Sequence, residues 1–255
     1  MTDRKKILSR ASDEETKALL SHACDLCIKA EKTGRAFFTD FLTPLEAREI
    51  GEAFSPSSVT FFGGYDEAER VIAAFCGDEE DVSFPVAAVE IVTKNKSPLT
   101  HQACLGTVLS LGLKRSGVGD ICIDGSRATV FCVEPLADYI ADGLTKIGGT
   151  GVKTKVLDEA EISLPERQYK EKAVSLSSMR LDCVVSAMTG KSRSASSELV
   201  SRAQVFVNYK TVNSGSYAVS DGDVVTIRGE GKFLINTDGT LTKKGRIFVK
   251  ILKYI

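Results

Sequence analysis

Two arginines and a lysine in the last third of the chain have the type and spacing of a phosphate-binding surface. Arg180 begins one predicted short helix, and Lys191 and Arg193 lie at the start of a second. The N-terminal end of a helix favours phosphate because it carries unpaired N–H groups and the positive end of the helix dipole. Arginine adds a planar fork that binds phosphate oxygens in pairs. The pattern predicts an RNA-binding surface, in which Asp182 is expected to fix the first helical turn through backbone N–H groups.

The distribution of charge supports a polyanionic partner, although the net charge of −1 does not. Residues 175–255 contain 12 Lys and Arg against 6 Asp and Glu, whereas residues 1–174 contain 21 against 28. A basic C-terminal part on an acidic body predicts one surface for nucleic acid. A chance fluctuation of solvated charge is the alternative.

Other residues with reactive side chains do not form a recognisable catalytic or metal-binding pattern. Cys24 and Cys27 make a CxxC pair inside a predicted helix, but a structural zinc site needs four ligands and no second pair follows. The seven cysteines are an odd number in mostly apolar runs, which is typical of buried thiols in a reducing cytosol. We therefore expect a cytoplasmic protein with no metal and no cofactor. No apolar run is long enough to cross a membrane.

The first part of the chain, residues 1–83, is predicted to be a small α/β region. Ser12 and Glu15 have the spacing of a capping box at the start of a helix over 12–32. The remaining predicted elements are a helix over 43–54, a strand over 59–62, and a segment over 70–75 that suits either a strand or a short helix.

Residues 84–160 follow the order β-α-β-β-α-β. The predicted strands are 86–92, 120–124, 127–133 and 152–157, and the predicted helices are 97–111 and 135–147. Gly125-Ser126 suits a tight hairpin turn between the two middle strands. This order predicts a ferredoxin-like, or RRM-like, domain.

Residues 161–177 are mostly polar and are predicted to be a linker to a C-terminal domain over 178–255. That domain is predicted to contain helices over 180–188 and 194–202 and strands over 205–207, 210–212, 224–227 and 247–255. The predicted fold class of the whole chain is therefore α+β.

The order of short motifs after residue 178 resembles the S4 RNA-binding domain, named for a small-subunit ribosomal protein. The matching motifs are Arg180-Leu181-Asp182, Ser192-Arg193, Val205-Phe206-Val207-Asn208 with Lys210, and Gly222-Asp223. The alternative is a generic module of two helices and a sheet with solvated arginines. Ala203 stands where the domain commonly has Gly, and Tyr209 follows Asn208 where Asn-Gly is usual. Because a Tyr with positive φ is costly, we expect an altered turn, which leaves the direction of Lys210 open.

The chain as a whole resembles the YlmH family of bacterial proteins. The resemblance lies in Phe61-Phe62-Gly63-Gly64-Tyr65 with Glu69-Arg70, in Leu111-Gly112-Leu113-Lys114-Arg115 with Gly119-Asp120-Ile121, and in the S4 domain with Lys243-Lys244-Gly245-Arg246 after it. It implies binding to a large ribosomal subunit that carries an obstructing peptidyl-tRNA, in ribosome-associated quality control. It also implies that the S4 domain is similar to a small factor that stabilises tRNA while tails are added to stalled chains.

The two resemblances imply a set of RNA-binding residues and supply no catalytic residue. The implied RNA-binding residues are Arg180, Lys191, Ser192, Arg193, Arg202, Asn208, Lys210, Lys243, Lys244 and Arg246. The implied partners are rRNA and peptidyl-tRNA, and we expect the protein to act as a monomer.

The central domain offers a second possible RNA contact at Lys114 and Arg115. RRM domains bind RNA through exposed aromatic side chains on the middle strands, and Phe131 is the one aromatic residue on these predicted strands. Lys114 and Arg115 suit phosphate better, although basic residues at a helix end also stabilise the helix itself.

Two other classes of function compete with a non-enzymatic RNA-binding factor. S4 domains also accompany RNA-modifying enzymes of the pseudouridine synthase and methyltransferase classes. The methyltransferase hypothesis requires a glycine-rich cofactor loop after a strand, and the Gly148-Gly149 segment has the opposite order. A structural assembly factor that uses the S4 domain for docking is the third hypothesis.

Overall fold

The chain divides into two compact units, residues 1–165 and 166–255. The computed structural model describes residues 3–76, 82–242 and 245–254. Both units combine helices with antiparallel sheets, which confirms the predicted α+β class. Within those three ranges, no helix is both long and apolar enough to cross a bilayer.

The first unit contains the predicted α/β region and the central domain, so the predicted boundary at residue 83 falls inside it. Its helices are α1 (Arg4–Leu8), α2 (Glu14–Thr33), α3 (Pro44–Ala53), α4 (His101–Ser110) and α5 (Ala137–Gly143). Its strands are β1 (Phe37–Phe38), β2 (Val59–Phe62), β3 (Ile72–Phe75), β4 (Val86–Thr93), β5 (Val118–Asp124), β6 (Arg127–Val133), β7 (Lys146–Ile147) and β8 (Thr150–Leu157). The ambiguous segment over 70–75 is thus a strand.

The start of α2 differs from the predicted capping box. Asp13 is the N-cap, and its carboxylate accepts a hydrogen bond from the Thr16 amide at 2.7 Å. The Ser12 hydroxyl instead donates to the Asp13 carboxylate at 2.9 Å. Ser12 and Asp13 are both good caps, and the sequence alone did not choose between them.

The N-terminal part of this unit is a three-stranded sheet in the order β1-β3-β2, with α2 and α3 contributing to its core. The apolar stripe of α2 and the buried side of α3 pack in the same core as the sheet. The fully buried members of this core include Ala23, Cys24, Ile50 and Phe75. Cys24 belongs to the CxxC pair, and burial raises the pKa of its thiol. This environment is that of a packed core cysteine.

The central sheet has the strand order β5-β6-β4-β8-β7, and all its pairings are antiparallel. The first four strands have the ferredoxin-like arrangement, which confirms that prediction. The helices α4 and α5 share a core with one face of the sheet, through Val108 and Ile140 among others. The helix predicted over 135–147 is shorter than expected, because residues 146–147 form β7 and pair with 150–151.

The second unit contains two helices and a six-stranded antiparallel sheet. Its elements are β9 (Tyr169–Leu176), α6 (Leu181–Thr189), α7 (Arg193–Ser201), β10 (Val205–Val207), β11 (Lys210–Thr211), β12 (Val224–Ile227), β13 (Gly231–Asn236) and β14 (Ile247–Tyr254). The strand order is β11-β10-β12-β13-β14-β9. The helices cover one face, where Leu181, Val184 and Val200 join Val225 and Ile251 in a buried core.

Strand β9 lies within the segment predicted to be a linker. It pairs with β14 along eight residues, from Tyr169 opposite Tyr254 to Leu176 opposite Ile247. The polar composition of β9 suggested a linker because β9 is an edge strand in which half of the residues are exposed. An edge strand of this kind has little apolar periodicity, and only its distant partner reveals it.

Candidate nucleic-acid interface

The centre of the candidate site is the Asp182 carboxylate, which is shared by two guanidinium groups. Arg180 donates to it through Nε at 3.2 Å and Nη2 at 3.0 Å. Arg193 donates through Nε at 3.4 Å and through Nη2 at 3.3 Å. The Asp182 side chain is 9% exposed, whereas those of Arg180 and Arg193 are 43% and 58% exposed. We call these three residues the arginine pair site.

The arginine pair site joins the starts of both helices of the second unit. Arg180 is the N-cap residue of α6, Asp182 lies in its first turn, and Arg193 is the first residue of α7. The buried carboxylate therefore holds in one place two side chains that are long and flexible on their own. Each guanidinium has five N–H donors, and the Asp182 carboxylate accepts from Nε and Nη2 of each arginine. Each partly exposed guanidinium therefore has further N–H donors that can bind a phosphate.

The backbone at the start of α6 is bound within the protein, which corrects two predictions about this helix. The Leu181 and Asp182 amides donate to the carbonyls of Tyr217 and Gly215, at 2.8 Å and 3.1 Å. Asp182 thus holds side chains, where we had expected it to bind backbone N–H groups. The Leu181 and Asp182 amides are therefore not available to phosphate, which leaves the guanidinium groups as the candidate phosphate ligands at the start of α6.

Ser192 is an N-cap and was predicted to be an RNA-binding residue. Its hydroxyl accepts a hydrogen bond from the Ala195 amide at 3.2 Å. Three other serines line an open groove beside Arg193, at positions 194, 197 and 201 of α7. Sequence reasoning did not select them, although their spacing places them along one side of the helix. Their hydroxyls can donate to phosphate oxygens.

The electrostatics of the arginine pair site favour its charged form. The hydrogen bonds from Arg180 hold the pKa of the Asp182 carboxyl below its usual range, against the opposing effect of burial. The same contact raises the pKa of Arg180. An Asp with a lowered pKa stabilises the folded state above its unfolded pKa, and this contribution is lost as the pH falls through the folded value.

We expect Asp182→Asn to lower the free energy of unfolding by about 1–3 kcal/mol at pH 7, because two charge-assisted pairings disappear. The difference from the unsubstituted protein should shrink as the pH falls below the usual Asp range, since protonation of Asp182 then removes the same interaction. Urea unfolding at a series of pH values measures it. Glu198→Gln removes the charge of the exposed Glu198–Arg202 pair and is expected to change stability by less than about 0.5 kcal/mol. A pH-independent cost of Asp182→Asn would contradict the assignment.

Lys191 and Arg202 are exposed and pair with other carboxylates. Lys191 pairs with Glu230 in the turn before β13, and Arg202 pairs with Glu198 at 2.6 Å, one helical turn away. Neither side chain contacts Asp182 in this structure. Both pairs lie at the surface, where such interactions are weak, so both cations can exchange partners with a phosphate.

Asn208 holds the sheet together and was predicted to be an RNA-binding residue. Its side-chain amide donates to Asp223 at 2.7 Å, and its side-chain oxygen accepts from the Val224 amide at 2.9 Å. Both side-chain groups therefore connect the hairpin of β10 and β11 to β12. The hydrogen bond between Asn208 and Asp223 gives one structural reason for two of the S4 motifs, the Asn at the end of β10 and the Gly222-Asp223 pair before β12.

The hairpin turn keeps the usual geometry despite Tyr209, so the expectation of an altered turn was wrong. Asn208 and Tyr209 have φ values of 47° and 66°, which are typical of a type I′ turn. Lys210 is exposed and pairs with Val207, which places it on the side of the sheet that carries the helices. Ala203 is the other departure from the domain's pattern, and its φ is 57°. Glycine adopts a positive φ at lower cost, which is the physical reason that the domain commonly has glycine at this position.

The basic segment after β13 is described in part. Lys243 and Lys244 lie outside the described residues. Arg246 is exposed, and its amide donates to the Thr242 hydroxyl at 3.1 Å in the turn that leads into β14. Its role in RNA binding stays a prediction.

Arg115, which was predicted to be a phosphate contact, is partly buried and binds backbone carbonyls of the first unit. Its guanidinium donates to the carbonyls of Val118 and Gly119, the latter at 3.1 Å. Burial lowers the pKa of Arg115, and the nearby Arg70 lowers it further. Lys114 is exposed, so of the predicted pair it is the residue that can reach RNA.

The two motifs of the first unit that resemble the YlmH family meet at Asp120. Its carboxylate accepts hydrogen bonds from the Tyr65 hydroxyl at 2.9 Å and from the amides of Glu69 and Arg70 at 2.7 Å and 3.2 Å. Arg70 in turn donates to the carbonyls of Val118 and Phe41, at 3.1 Å and 3.0 Å. These motifs are structural and join the N-terminal region to the central sheet.

The same junction closes the sheet face that RRM domains use to bind RNA. Tyr65 stacks on Phe131 with ring centroids 5.0 Å apart, and Phe131 is fully buried. Gly64 packs so closely that a Cβ would lie 2.3 Å from the Phe131 ring. RNA stacking on Phe131 is therefore excluded in this conformation.

The two helices and the sheet that carry the arginine pair site have the arrangement of the S4 class of RNA-binding domains. The family model for the S4 domain matches residues 179–225, and the model described as "Putative RNA-binding domain in YlmH" matches residues 78–161. A curated relative is ribosome-associated protein quality control protein P2 of Bacillus subtilis, 30% identical over 91% of this chain and 93% of its own length. The chain belongs to the YlmH family.

Two further similarities are consistent with this assignment. Small ribosomal subunit protein uS4 of Hahella chejuensis is 43% identical over 28% of this chain and 35% of its own length. A solved structure, the cell division protein ylmH from Streptococcus pneumoniae, matches with a TM-score of 0.51 and 22% identity, covering 60% of this chain and 96% of that chain. The second similarity concerns the fold alone.

Proposed function

We propose that this protein is a non-enzymatic factor that binds rRNA and peptidyl-tRNA on the large ribosomal subunit during the rescue of stalled translation. The observation that carries the proposal is the arginine pair site, where one buried carboxylate orients two exposed guanidinium groups. The ribosomal target is supported by the name of the Bacillus subtilis relative, which places that protein in ribosome-associated quality control. The protein then acts in the cytoplasm as a monomer.

The chemistry of the arginine pair site suits an RNA backbone. A planar guanidinium binds phosphate oxygens in pairs, and a pre-oriented one loses less side-chain entropy on binding than a mobile lysine. Arg193 also lies beside a groove lined by Ser194, Ser197 and Ser201. Lys191 and Arg202, each held by a surface carboxylate, extend the positive surface along α7.

The proposal assigns binding and no catalytic step to this site. Guanidinium and hydroxyl groups that are held for phosphate contact position an RNA and leave its bonds unchanged. The alternative, an RNA-modifying enzyme that docks through its S4 domain, predicts that rRNA from a deletion strain lacks one modification. Finding such a loss by modification mapping would replace the proposal with the enzyme hypothesis.

We expect the protein to sediment with large subunits in a sucrose gradient at low salt, and more strongly when the subunits carry peptidyl-tRNA. Each phosphate contact releases counterions, so the logarithm of the binding constant should fall linearly with the logarithm of salt concentration, by about 0.7–0.9 per contact. Gradients at several salt concentrations measure this slope.

Purified large subunits without tRNA and small subunits serve as controls in the same gradients. Equal binding to both kinds of subunit would indicate non-specific attraction to RNA. Protein that stays at the top of the gradient at low salt would contradict the proposal.

A further inference from the structure

A row of aromatic and cationic side chains crosses the six-stranded sheet on the face opposite α6 and α7. The strand register places Phe206 opposite Thr226, Thr226 opposite Lys232, and Tyr254 opposite Tyr169. Lys232 lies next to Tyr254, because the adjacent residues Phe233 and Lys253 are paired. We call Phe206, Thr226, Lys232, Tyr254 and Tyr169 the aromatic row.

The face of the aromatic row follows from the alternation of side chains along a strand. The neighbouring residues Val205, Val207, Val225 and Phe233 are buried in the core under the helices. Members of the aromatic row therefore point to the other face, and all of them are partly exposed.

Direct contacts link Lys232 of the aromatic row to a second aromatic ring, that of Tyr209, which lies outside the row. The Lys232 ammonium lies 4.7 Å from the Tyr254 ring centroid and 5.0 Å from that of Tyr209, and it donates to the Tyr209 hydroxyl at 2.8 Å. Tyr254 and Tyr169 meet edge to face, with centroids 5.0 Å apart. At the other end, the Arg228 guanidinium lies 5.3 Å from the centroid of Phe206.

Tyr209 holds this arrangement in a strained conformation. Its φ of 66° lies in the left-handed region, where glycine is the unstrained residue for the second position of a type I′ turn. Strain of this kind at an ordered position points to a functional contact. Here the position provides a ring that reaches across the sheet to Lys232.

The charges of this face favour a polyanion. Arg228, Lys232 and Lys250 are its cations, and Glu171 is the carboxylate that the register places on it. Glu171 is already paired with Lys250 at 3.5 Å. Aromatic rings with cations between them suit single-stranded RNA, since the bases stack on the rings and the phosphates meet the cations.

We propose that the aromatic row is a second RNA-binding surface, specific for single-stranded RNA. It is separate from the arginine pair site, which lies at the helix starts. The two surfaces allow one domain to hold a structured RNA through its backbone and an unpaired segment through its bases. The proposal of this second RNA-binding surface does not depend on the ribosome being the target of the protein.

The test measures the affinity of the full chain for two fluorescently labelled RNAs by fluorescence anisotropy. One is a single-stranded oligoadenosine of about ten nucleotides, and the other is a duplex RNA of equal length. We expect the double variant Lys232→Gln/Tyr254→Ser to weaken single-strand binding by about tenfold or more, because removing a base stack and removing a cation each reduce affinity. The affinity for duplex RNA should change by less than about threefold, because the variant loses at most one phosphate contact to a duplex. Tyr254→Phe, which keeps the ring, should bind like the unsubstituted protein.

Phe248→Ser is the matched control. Phe248 is 37% exposed on the same strand and the same face, but it lies six residues, or about 20 Å, from Tyr254. We expect this variant to bind the oligoadenosine normally. An equal loss of affinity from Phe248→Ser would show a general effect on the face and would overturn the aromatic row as the site.

Tyr209→Gly separates function from folding. Glycine relieves the positive φ, so the Tm should equal or exceed that of the unsubstituted protein, while single-strand affinity falls severalfold. A structural role alone would lower the Tm and leave affinity unchanged. Unchanged oligoadenosine binding by both Lys232→Gln/Tyr254→Ser and Tyr209→Gly would overturn the proposal. If these variants bind the oligoadenosine normally but no longer associate with large subunits, this face binds a protein.

Discussion

Replacing Arg180 and Arg193 together by Ala is expected to weaken binding to the large subunit about a hundredfold or more, since each charge-assisted hydrogen bond contributes about 1.5 kcal/mol or more. Both side chains are more than two-fifths exposed and are oriented by one carboxylate. The slope of the logarithm of the binding constant against that of salt should also fall by about 0.7–0.9 for each phosphate that these arginines no longer bind. Titration of labelled protein with purified subunits at several salt concentrations measures both quantities.

The double variant leaves the buried Asp182 carboxylate without its two guanidinium partners, so the folding of the variant needs a separate control. The triple variant Arg180→Ala/Asp182→Asn/Arg193→Ala removes that orphaned charge and should recover stability without recovering binding. Arg202→Ala, which removes a surface cation paired with Glu198, should weaken binding by less than about tenfold. Full affinity of the folded triple variant would remove the arginine pair site from the interface.

The second large effect is expected in the first unit, where Asp120→Ala should lower the free energy of unfolding by about 3–5 kcal/mol. The substitution leaves the Tyr65 hydroxyl and the amides of Glu69 and Arg70 without their acceptor. It also removes a carboxylate that interacts electrostatically with the half-buried guanidinium groups of Arg70 and Arg115. Hydrogen exchange read by mass spectrometry should show faster exchange in residues 59–75 and 118–133.

The exposed Asp124, at the end of the same strand, provides the comparison. We expect Asp124→Ala to change stability by no more than about 0.5 kcal/mol. Exchange in α6 and α7 should be unaffected by Asp120→Ala, because these helices belong to the other compact unit. Unchanged protection around Asp120 would show that the two family motifs are not held together by this carboxylate.

Much of the fold followed from local patterns. The hairpin at Gly125-Ser126 depends on residues close in the chain, and local periodicity predicted the order of helices and strands in the central domain. The structure contains both. Elements whose periodicity is weak were missed. Strand β9 is polar because it is an exposed edge, and β13 became visible only through its pairing with β12 and β14.

The sequence by itself determined the class of protein, because the S4 motifs follow one another in a fixed order along a short segment. It also singled out Arg180 and Arg193, whose positions depend on two adjacent helix starts. These are local properties, and the periodicity and capping of helices express them directly in the chain.

Only the tertiary structure decided what each polar side chain binds. Asp182 and Arg193 are 11 residues apart, Asn208 and Asp223 are 15 apart, and Tyr65 and Asp120 are 55 apart. Their pairing depends on how helices and strands pack, and the same packing sets the structural contacts of Ser192, Asn208 and Arg115. The same packing brought Tyr209, which was expected to disturb its turn, into contact with Lys232 of the aromatic row. A buried polar group must find a partner, and the partner is chosen by the fold and not by the neighbouring sequence.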